Sequence, residues 1–239
     1  MDRRDSMKAG IICAGDREFA PFLPHIENDH TTEKAMLAFH EGNINGMPIV
    51  ALYCGVCKVN AAIAAQILID SFQVTAVINA GTAGGMDKDV KLFNTVIAEE
   101  VAYHDVADNI LTEFHPWMDS VYFSTDEQLL GIAREICKGD PTVRFGRMVT
   151  GEQFITDDGR AEINEKFTPL SVDMETASIA HVCYVNQIPF IAIRCITDTA
   201  DHAGTGQFQL NCPKASAIAK DFTLAMLHKL KGCDSPDET

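Results

Sequence analysis

Short apolar runs alternate with longer amphipathic stretches along the chain, which is the pattern of an α/β fold. Lys8–Ala14 is brief and rich in apolar and β-branched residues, so it predicts a buried strand. Lys58–Phe72 is long enough for a helix and places Val59, Ile63 and Ile67 four residues apart. This spacing puts the three side chains on one stripe of a helix, and the alanines of the same run would allow close packing on a sheet.

Turn residues separate several of the other apolar runs. Asn45-Gly46 tolerates positive φ at both residues and predicts a hairpin between Glu33–Glu41 and Pro48–Cys54. Thr75–Asn79 predicts a buried strand that runs into a glycine-rich turn at residues 81–85, where backbone amides could approach a ligand closely. Near the C-terminus, a glycine-rich loop at residues 202–207 precedes Asn211, which predicts the start of the last helix.

The stretch Ser171–Asp201 contains two strand-like runs, Leu170–Met174 and Pro189–Cys195, with a helical run between them. An acidic residue follows each strand, Glu175 after the first and Asp198 after the second. If the strands are parallel, their carboxyl ends meet at one crevice and both carboxylates reach it. Each acid also has a simpler interpretation, Glu175 in the first turn of a helix and Asp198 as the cap of a turn.

Composition limits the class of protein. A length of 239 residues with 46% hydrophobic residues predicts one domain, to which we assign residues 7–231, with a disordered leader at 1–6 and tail at 232–239. The formal charge of −15 and the lack of a basic run argue against nucleic acid as a partner. No apolar run is long enough for a membrane span or a signal peptide, so we expect a cytoplasmic protein without a membrane partner.

The positions of the cysteines also agree with a cytoplasmic protein. Several of the eight cysteines lie inside apolar segments, where free thiols pack as small hydrophobic residues. Cys54-Gly-Val-Cys57 has the C-x-x-C spacing, but no second pair or nearby histidine completes a zinc site. We therefore expect reduced thiols and neither a metal nor a cofactor.

Seven motifs in a fixed order give the chain its resemblance to the 5′-methylthioadenosine/S-adenosylhomocysteine nucleosidases of the nucleoside phosphorylase superfamily. They are GIICAGDREF, CGVCKVNAA, INAGTAGG, YHD, GEQFI, VDMETASIAHVC and RCITDTAD. The resemblance extends from about Lys8 to Leu230. It implies a single α/β domain with a twisted mixed sheet, partly closed into a barrel and flanked by helices. It also implies a homodimer that hydrolyses the N-glycosidic bond of 5′-substituted adenosines to adenine and the substituted ribose.

The resemblance assigns chemical roles to two acids. Adenine leaves poorly as an anion, so an acid must protonate N7 as the bond breaks, and Asp198 stands at the family's position for that acid. Glu18 stands at the position of the general base that activates water. Thr82 occupies the place where the family usually has a serine beside that water, and Arg194 matches a residue that would keep Glu18 ionised.

The remaining positions carried over from the family bind the nucleoside. Glu175 matches the glutamate that binds the ribose hydroxyls, and Met174 packs beneath the sugar. Phe154 should stack on adenine, the backbone of Ile155 should read the edge of the base, and Phe208 should cover the ribose. Taken singly, each aromatic residue is more often part of a core, and only the joint occurrence of the motifs favours the binding roles.

Two other functions stay open at this stage. A phosphate-dependent phosphorylase of the same superfamily would need arginines for phosphate, but its arginine position is Asn79 here, and only Arg17 offers a cation in the first turn. A catalytically silent nucleoside-binding protein would have lost Glu18 or Asp198, and both are present.

The 5′-substituent is not assigned by the sequence. The loop at residues 106–122 does not match the family well, and Gly15 replaces a methionine that commonly lies near this substituent. Methylthioadenosine, S-adenosylhomocysteine, 5′-deoxyadenosine and related adenosines therefore all remain possible substrates.

Overall fold

A computed structural model describes residues 7–156, 159–201 and 204–233. The predicted leader, residues 1–6, and the part of the predicted tail at 234–239 lie outside the described residues. Within the described ranges, no helix combines the length and apolar character that crossing a bilayer would require.

Ten strands in the described residues form one mixed sheet. They are β1 (Ala9–Cys13), β2 (Glu27–Lys34), β3 (Leu37–Ile44), β4 (Met47–Tyr53), β5 (Ala76–Gly85), β6 (Thr95–Tyr103), β7 (Phe123–Ser124), β8 (Val143–Thr150), β9 (Ser171–Asp173) and β10 (Phe190–Asp198). Strands β5, β9, β8, β6 and β10 pair in a ring that closes between β10 and β5. From β5 the sheet continues outward through β1, β4, β3 and β2. The predicted α/β domain with a mixed, partly closed sheet is confirmed.

Helices cover both faces of the sheet. They are α1 (Asp16–Phe19), α2 (Lys58–Phe72), α3 (Ile110–Glu113), α4 (Glu127–Cys137), α5 (Arg160–Phe167), α6 (Thr176–Asn186) and α7 (Thr205–Cys233), and a 3₁₀ turn spans Leu23–His25. One core lies between the sheet and α2 with α6. A second core lies between the sheet and α4 with α7. The sheet is therefore packed on both faces by helices.

The predicted hairpin is present. Strands β3 and β4 are antiparallel, and Ile44 pairs with Met47 across the turn. Asn45 has φ 52° and Gly46 has φ 74°, as a tight hairpin turn with two left-handed residues requires. The sequence patterns did not reveal β2, which pairs with β3 as the last strand of the sheet.

Helix α2 has the predicted bounds. Its buried side chains are Ala61, Ala64, Ala65, Leu68 and Phe72, so the alanines lie on the packed side as predicted. The branched stripe is only partly covered, since Val59 is 68% exposed and Ile63 is 43% exposed, whereas Ile67 packs against the core.

Two predictions about strand ends are also wrong. Residues 81–85 do not form a turn, because β5 continues through them to Gly85. Strands β9 and β10 are not parallel to each other, since β10 is parallel to β5 whereas β9 is antiparallel to it. The acids that follow them therefore do not meet through a shared strand direction. They meet because both strands flank β5 in the closed ring.

The last helix begins earlier than predicted. Helix α7 starts at Thr205, so part of the expected glycine-rich loop is helical, while residues 202 and 203 lie outside the described residues. Pro213 lies inside the helix, although proline provides no N–H for the carbonyl of Gln209. Because α7 starts at Thr205, Phe208 lies in its first turn.

Candidate active site

A cavity of about 390 Å³ lies where β1, β5, β9 and β10 end beside α1 and the first turns of α7. Eight of the residues selected from the sequence line it: Glu18, Thr82, Phe154, Ile155, Met174, Glu175, Asp198 and Phe208. Arg194 does not line the cavity and is fully buried behind its wall. The structure thus brings together residues that are up to 190 positions apart in the chain.

Glu18 is fixed by four donors. One carboxylate oxygen accepts hydrogen bonds from the backbone N–H groups of Ala14 at 2.8 Å and Gly15 at 3.2 Å. The other accepts from the backbone N–H and the hydroxyl of Thr82, each at 2.6 Å. Because the β1–α1 connection and β5 supply these donors together, the carboxylate has one defined orientation although it belongs to a helix of only four residues.

Gly81 permits the close approach of β5 to this carboxylate. A Cβ atom at Gly81 would lie 2.7 Å from the Glu18 carboxyl group and 2.7 Å from Nη1 of Arg194. Any side chain at this position would therefore displace one of the two charged groups. The lack of a side chain at Gly81 thus lets β5 pack closely against Glu18 and Arg194.

Arg194 pairs with two other buried acids. Its Nε donates to Asp173 at 2.9 Å, and its Nη2 lies 2.8 Å from Asp173 and 3.0 Å from Glu175. No ion pair within 4.0 Å joins it to Glu18, but the charge of Glu18 acts on it, and a Cβ atom at Gly81 would lie 2.7 Å from both groups. That Arg194 keeps Glu18 ionised stays a prediction. Its Nη1, next to Gly81, has no hydrogen-bond partner.

Asp173 is the site residue that sequence reasoning missed. It accepts hydrogen bonds from the Thr150 hydroxyl at 2.6 Å and from the Thr176 hydroxyl and backbone N–H. The charge of Arg194 and these donors oppose the effect of burial and hold the pKa of Asp173 below its usual value. Its only signal in the sequence is its position in the motif VDMETASIAHVC, two residues before Glu175.

Glu175 lies at the N-terminal end of α6 and faces the cavity. Its carboxylate accepts from the backbone N–H of Cys57 at 2.9 Å and from Arg194 at 3.0 Å. Burial raises the pKa of Glu175 to about 7, although the charge of Arg194 acts in the opposite direction. Near neutral pH this acid can therefore exchange a proton or accept hydrogen bonds from hydroxyl groups.

Asp198 is 1% exposed and lies at the end of β10. The Thr197 hydroxyl donates to it at 2.8 Å, and a Cβ atom on Gly84 would lie 3.1 Å from its other oxygen. Burial raises the pKa of Asp198, while the Thr197 hydrogen bond and the charge of Arg160 partly oppose the rise. A carboxyl group in this environment is suited to donate a proton.

Two aromatic rings mark one end of the cavity. Phe154 follows β8 and Phe208 lies in α7, and their ring centroids are 6.2 Å apart at an angle of 73°. Phe154 is 38% exposed, so it is not a core aromatic residue. Ile155 also lines the cavity.

No group of three or more His, Cys, Asp or Glu side chains in the described ranges is arranged to hold a metal ion. The seven cysteines in those ranges whose side chains are described are free thiols, Cys54 and Cys57 among them. Cys57 contributes to the site through its backbone N–H, which binds Glu175.

Comparison with known proteins places this geometry in a family. Residues 8–228 match the phosphorylase superfamily. A 5′-methylthioadenosine/S-adenosylhomocysteine nucleosidase of Exiguobacterium is 35% identical over 94% of this chain and 99% of its own length. The solved Streptococcus pneumoniae nucleosidase of the same name, in complex with a transition-state inhibitor, is 30% identical with a TM-score of 0.85, over 92% of this chain and 98% of that one. A futalosine hydrolase of Helicobacter pylori is 25% identical with a TM-score of 0.85, over 93% and 98%.

Proposed function

Because the chain belongs to the phosphorylase superfamily, and within it to the 5′-methylthioadenosine/S-adenosylhomocysteine nucleosidases, we propose that it hydrolyses the N-glycosidic bond of 5′-substituted adenosines. The products are adenine and the 5′-substituted ribose. The observation that carries this proposal is one cavity lined by two buried acids in different environments, Glu18 held by four donors and Asp198 with a raised pKa.

Asp198 is the general acid. As the bond between C1′ and N9 breaks, its electron pair moves to the purine, and Asp198 gives its proton to N7 so that neutral adenine leaves. The raised pKa of Asp198 supports this role because the carboxyl group must carry a proton when substrate is bound. Phe154 stacks on the purine next to it, the backbone of Ile155 reads the edge of the base, and Phe208 covers the ribose.

Glu18 is the general base. The sugar develops positive charge at C1′, and the nearby carboxylates stabilise this charge. Water attacks C1′ from the face opposite adenine while Glu18 accepts one of its protons. Thr82 keeps the carboxylate oriented, and the unpartnered Nη1 of Arg194 is a donor near the same carboxylate.

Glu175 and Met174 hold the ribose. Glu175 accepts hydrogen bonds from the 2′ and 3′ hydroxyls, and Met174 packs beneath the ring. Arg194 contributes indirectly, because its ion pairs with Asp173 and Glu175 fix the carboxylate that faces the sugar. In this mechanism Arg194 is a positioning residue for Glu175.

Water is favoured over phosphate as the nucleophile. Asn79, at the position of the phosphorylase arginine, is fully buried and binds the Ile12 carbonyl and the Thr176 hydroxyl. It also does not line the cavity, so it is not placed to bind phosphate there. The carboxylate of Glu18 would repel a phosphate dianion at the place where it would orient water.

The test is adenine release from 5′-methylthioadenosine by the purified protein, first without phosphate and then with it. We expect adenine and free methylthioribose in the phosphate-free buffer, with no increase in rate on adding phosphate. Release that requires phosphate would instead support a phosphorylase that uses Arg17. Binding without release of adenine in either buffer would support a silent nucleoside-binding protein.

We also propose that the protein forms a homodimer. Exposed apolar side chains just before and on α2, on α6 and in the loop at residues 106–122 support it, namely Val56, Val59, Ile63, Phe114, Trp117, Tyr184 and Val185. We call this set the apolar face. Exposed apolar side chains that gather on one surface are typical of an interface between subunits. Because Val56 also lines the cavity, the partner subunit would lie beside the cavity mouth.

A cytoplasmic location also belongs to the proposal. The unpaired thiols of the described residues support it, because cysteines stay reduced in that compartment. Cell fractionation with an antibody against the chain would test it.

A further inference from the structure

Asp16 and Arg17 are adjacent in α1, and both residues line the cavity. The other ionisable residues along the cavity wall are Cys212 and four buried acids, Glu18, Asp173, Glu175 and Asp198. Arg17 is therefore the one basic side chain among the described residues of this wall. Neither Asp16 nor Arg17 forms an ion pair within 4.0 Å with another described residue.

The pair belongs to helix α1, which packs against α7. Phe208, Gln209 and Cys212 of α7 line the same cavity as Asp16 and Arg17. The part of the wall that carries the two charges is therefore built from α1 and the first turns of α7.

Space is open between the cavity and this pair. Gly15 lines the cavity directly before Asp16, and a Cβ atom built on it would meet no atom within 4 Å. Asp16 and Arg17 are both solvent-exposed, whereas Glu18 is buried. If adenine and ribose bind as in the proposed function, on which this inference rests, the 5′-substituent is the part of the nucleoside that can extend over Gly15.

We propose that Asp16 and Arg17 form a subsite for a zwitterionic α-amino acid at the end of the 5′-substituent. Arg17 binds the carboxylate through its planar guanidinium group, and Asp16 binds the ammonium group. A substituent with a single charge would be attracted by one residue and repelled by its neighbour. A methylthio group would use neither. The subsite therefore favours S-adenosylhomocysteine over methylthioadenosine.

The experiment compares kcat/KM for these two nucleosides, measured as adenine release, in the wild type and in Arg17→Gln and Asp16→Asn. The ratio of the two kcat/KM values is the readout, because a general effect on the neighbouring Glu18 cancels in it. We expect each substitution to lower the ratio in favour of methylthioadenosine by about 3- to 10-fold, as suits an exposed charged contact. Arg144→Gln, an exposed arginine on β8 outside the cavity, is the matched control with an unchanged ratio.

A ratio that stays at the wild-type value in both variants would overturn the subsite. Failure of the proposed function is a separate result, because it would appear as an absence of adenine release from methylthioadenosine by the wild type.

The dependence of the kcat/KM ratio on salt provides a second readout. If exposed charges produce the preference, raising the ionic strength from 0.01 M toward about 1 M should reduce the wild-type ratio, but not that of the double variant Asp16→Asn/Arg17→Gln.

Discussion

Thr82 donates two hydrogen bonds to a single oxygen of Glu18, one from its backbone N–H and one from its hydroxyl, each 2.6 Å long. The backbone bond depends only on the path of β5, whereas the hydroxyl bond depends on the residue type. A substitution at Thr82 can therefore remove half of this contact while it leaves the strand in place.

Thr82→Val should lower kcat/KM about 10- to 100-fold, because a hydrogen bond to a charged group is worth roughly 1.5–3 kcal/mol. Thr82→Ser retains the hydroxyl and should stay within about 3-fold of the wild type. Steady-state adenine release measures both variants, and thermal unfolding checks that they are folded. Full activity of the valine variant would mean that the hydroxyl is not needed to orient Glu18.

Asp198→Asn should abolish most of the turnover but retain nucleoside binding, since the amide fills the same space without a proton to give. We expect a loss of at least about 100-fold in kcat, the range for removal of a general acid. Calorimetric titration with methylthioadenosine would measure the binding that remains. Asp201→Asn, an exposed acid beyond β10, is the matched control. Wild-type turnover in the Asp198 variant would exclude this residue as the acid.

Arg160 should set the alkaline limb of the pH profile. It is 7% exposed, donates to the carbonyls of Gly85 at 2.6 Å and Thr156 at 3.2 Å, and lowers the pKa of Asp198 by its charge. Without this charge the carboxylate form of Asp198 is less stable, so its pKa rises and the proton persists to higher pH. In Arg160→Met the alkaline limb of kcat/KM should therefore move to higher pH.

Arg160→Lys restores the charge and should return the limb toward its wild-type position, which separates an effect of charge from an effect of packing. If both variants lose stability but keep the wild-type alkaline limb, Arg160 has only a structural role.

Arg194→Met should destabilise the fold by about 3–5 kcal/mol, because it leaves Asp173 and Glu175 buried without their cation. The pKa of Glu175 is already raised to about 7, above its value in the unfolded chain, so its contribution to stability is lost as the pH rises through 7. Removing the cation raises that pKa further. The stability deficit, measured by urea unfolding, should be larger at pH 8 than at pH 5, and an equal deficit at both values would contradict this account.

Val59→Glu should dissociate the proposed homodimer. The substitution places a charge in the middle of the apolar face, where it would be buried by a partner subunit. Light scattering after gel filtration should then give the monomer mass of 26.1 kDa for the variant and twice that for the wild type. Met36→Glu, a fully exposed methionine in the turn between β2 and β3, is the control and should remain dimeric. A monomeric wild type would refute the dimer.

Periodicity and turn residues predicted the elements that have their own sequence signal. The bounds of α2 match the prediction, and the Asn45-Gly46 turn joins β3 to β4. The alanines of α2 lie on the packed side as predicted. The exposure of Val59 and Ile63 did not follow from periodicity, because that helix carries one stripe of alanines and another of branched residues, and both are apolar.

The site residues likewise include some that the sequence predicted and some that it did not. The cavity-lining acids Glu18, Glu175 and Asp198 could be selected because each stands in a recognisable motif at the end of an element. The pairing of Arg194 with Asp173 could not, since it depends on how β9 and β10 are placed on the two sides of β5. Arg17 was selected only as a possible phosphate ligand, and Asp16 gave no signal, because exposed charged residues are common in any first turn.

The ring of strands has a consequence for how the protein behaves at high concentration. Closure through β10 and β5 removes both free edges from that part of the sheet, and the outward extension ends at β2. The sequence of β2, ENDHTTEK, is polar throughout, and seven of its eight residues are exposed. A strand of this kind offers no apolar surface to a strand of another molecule, and its charges disfavour edge-to-edge pairing. The feature that hid β2 from pattern analysis therefore protects the folded protein against aggregation.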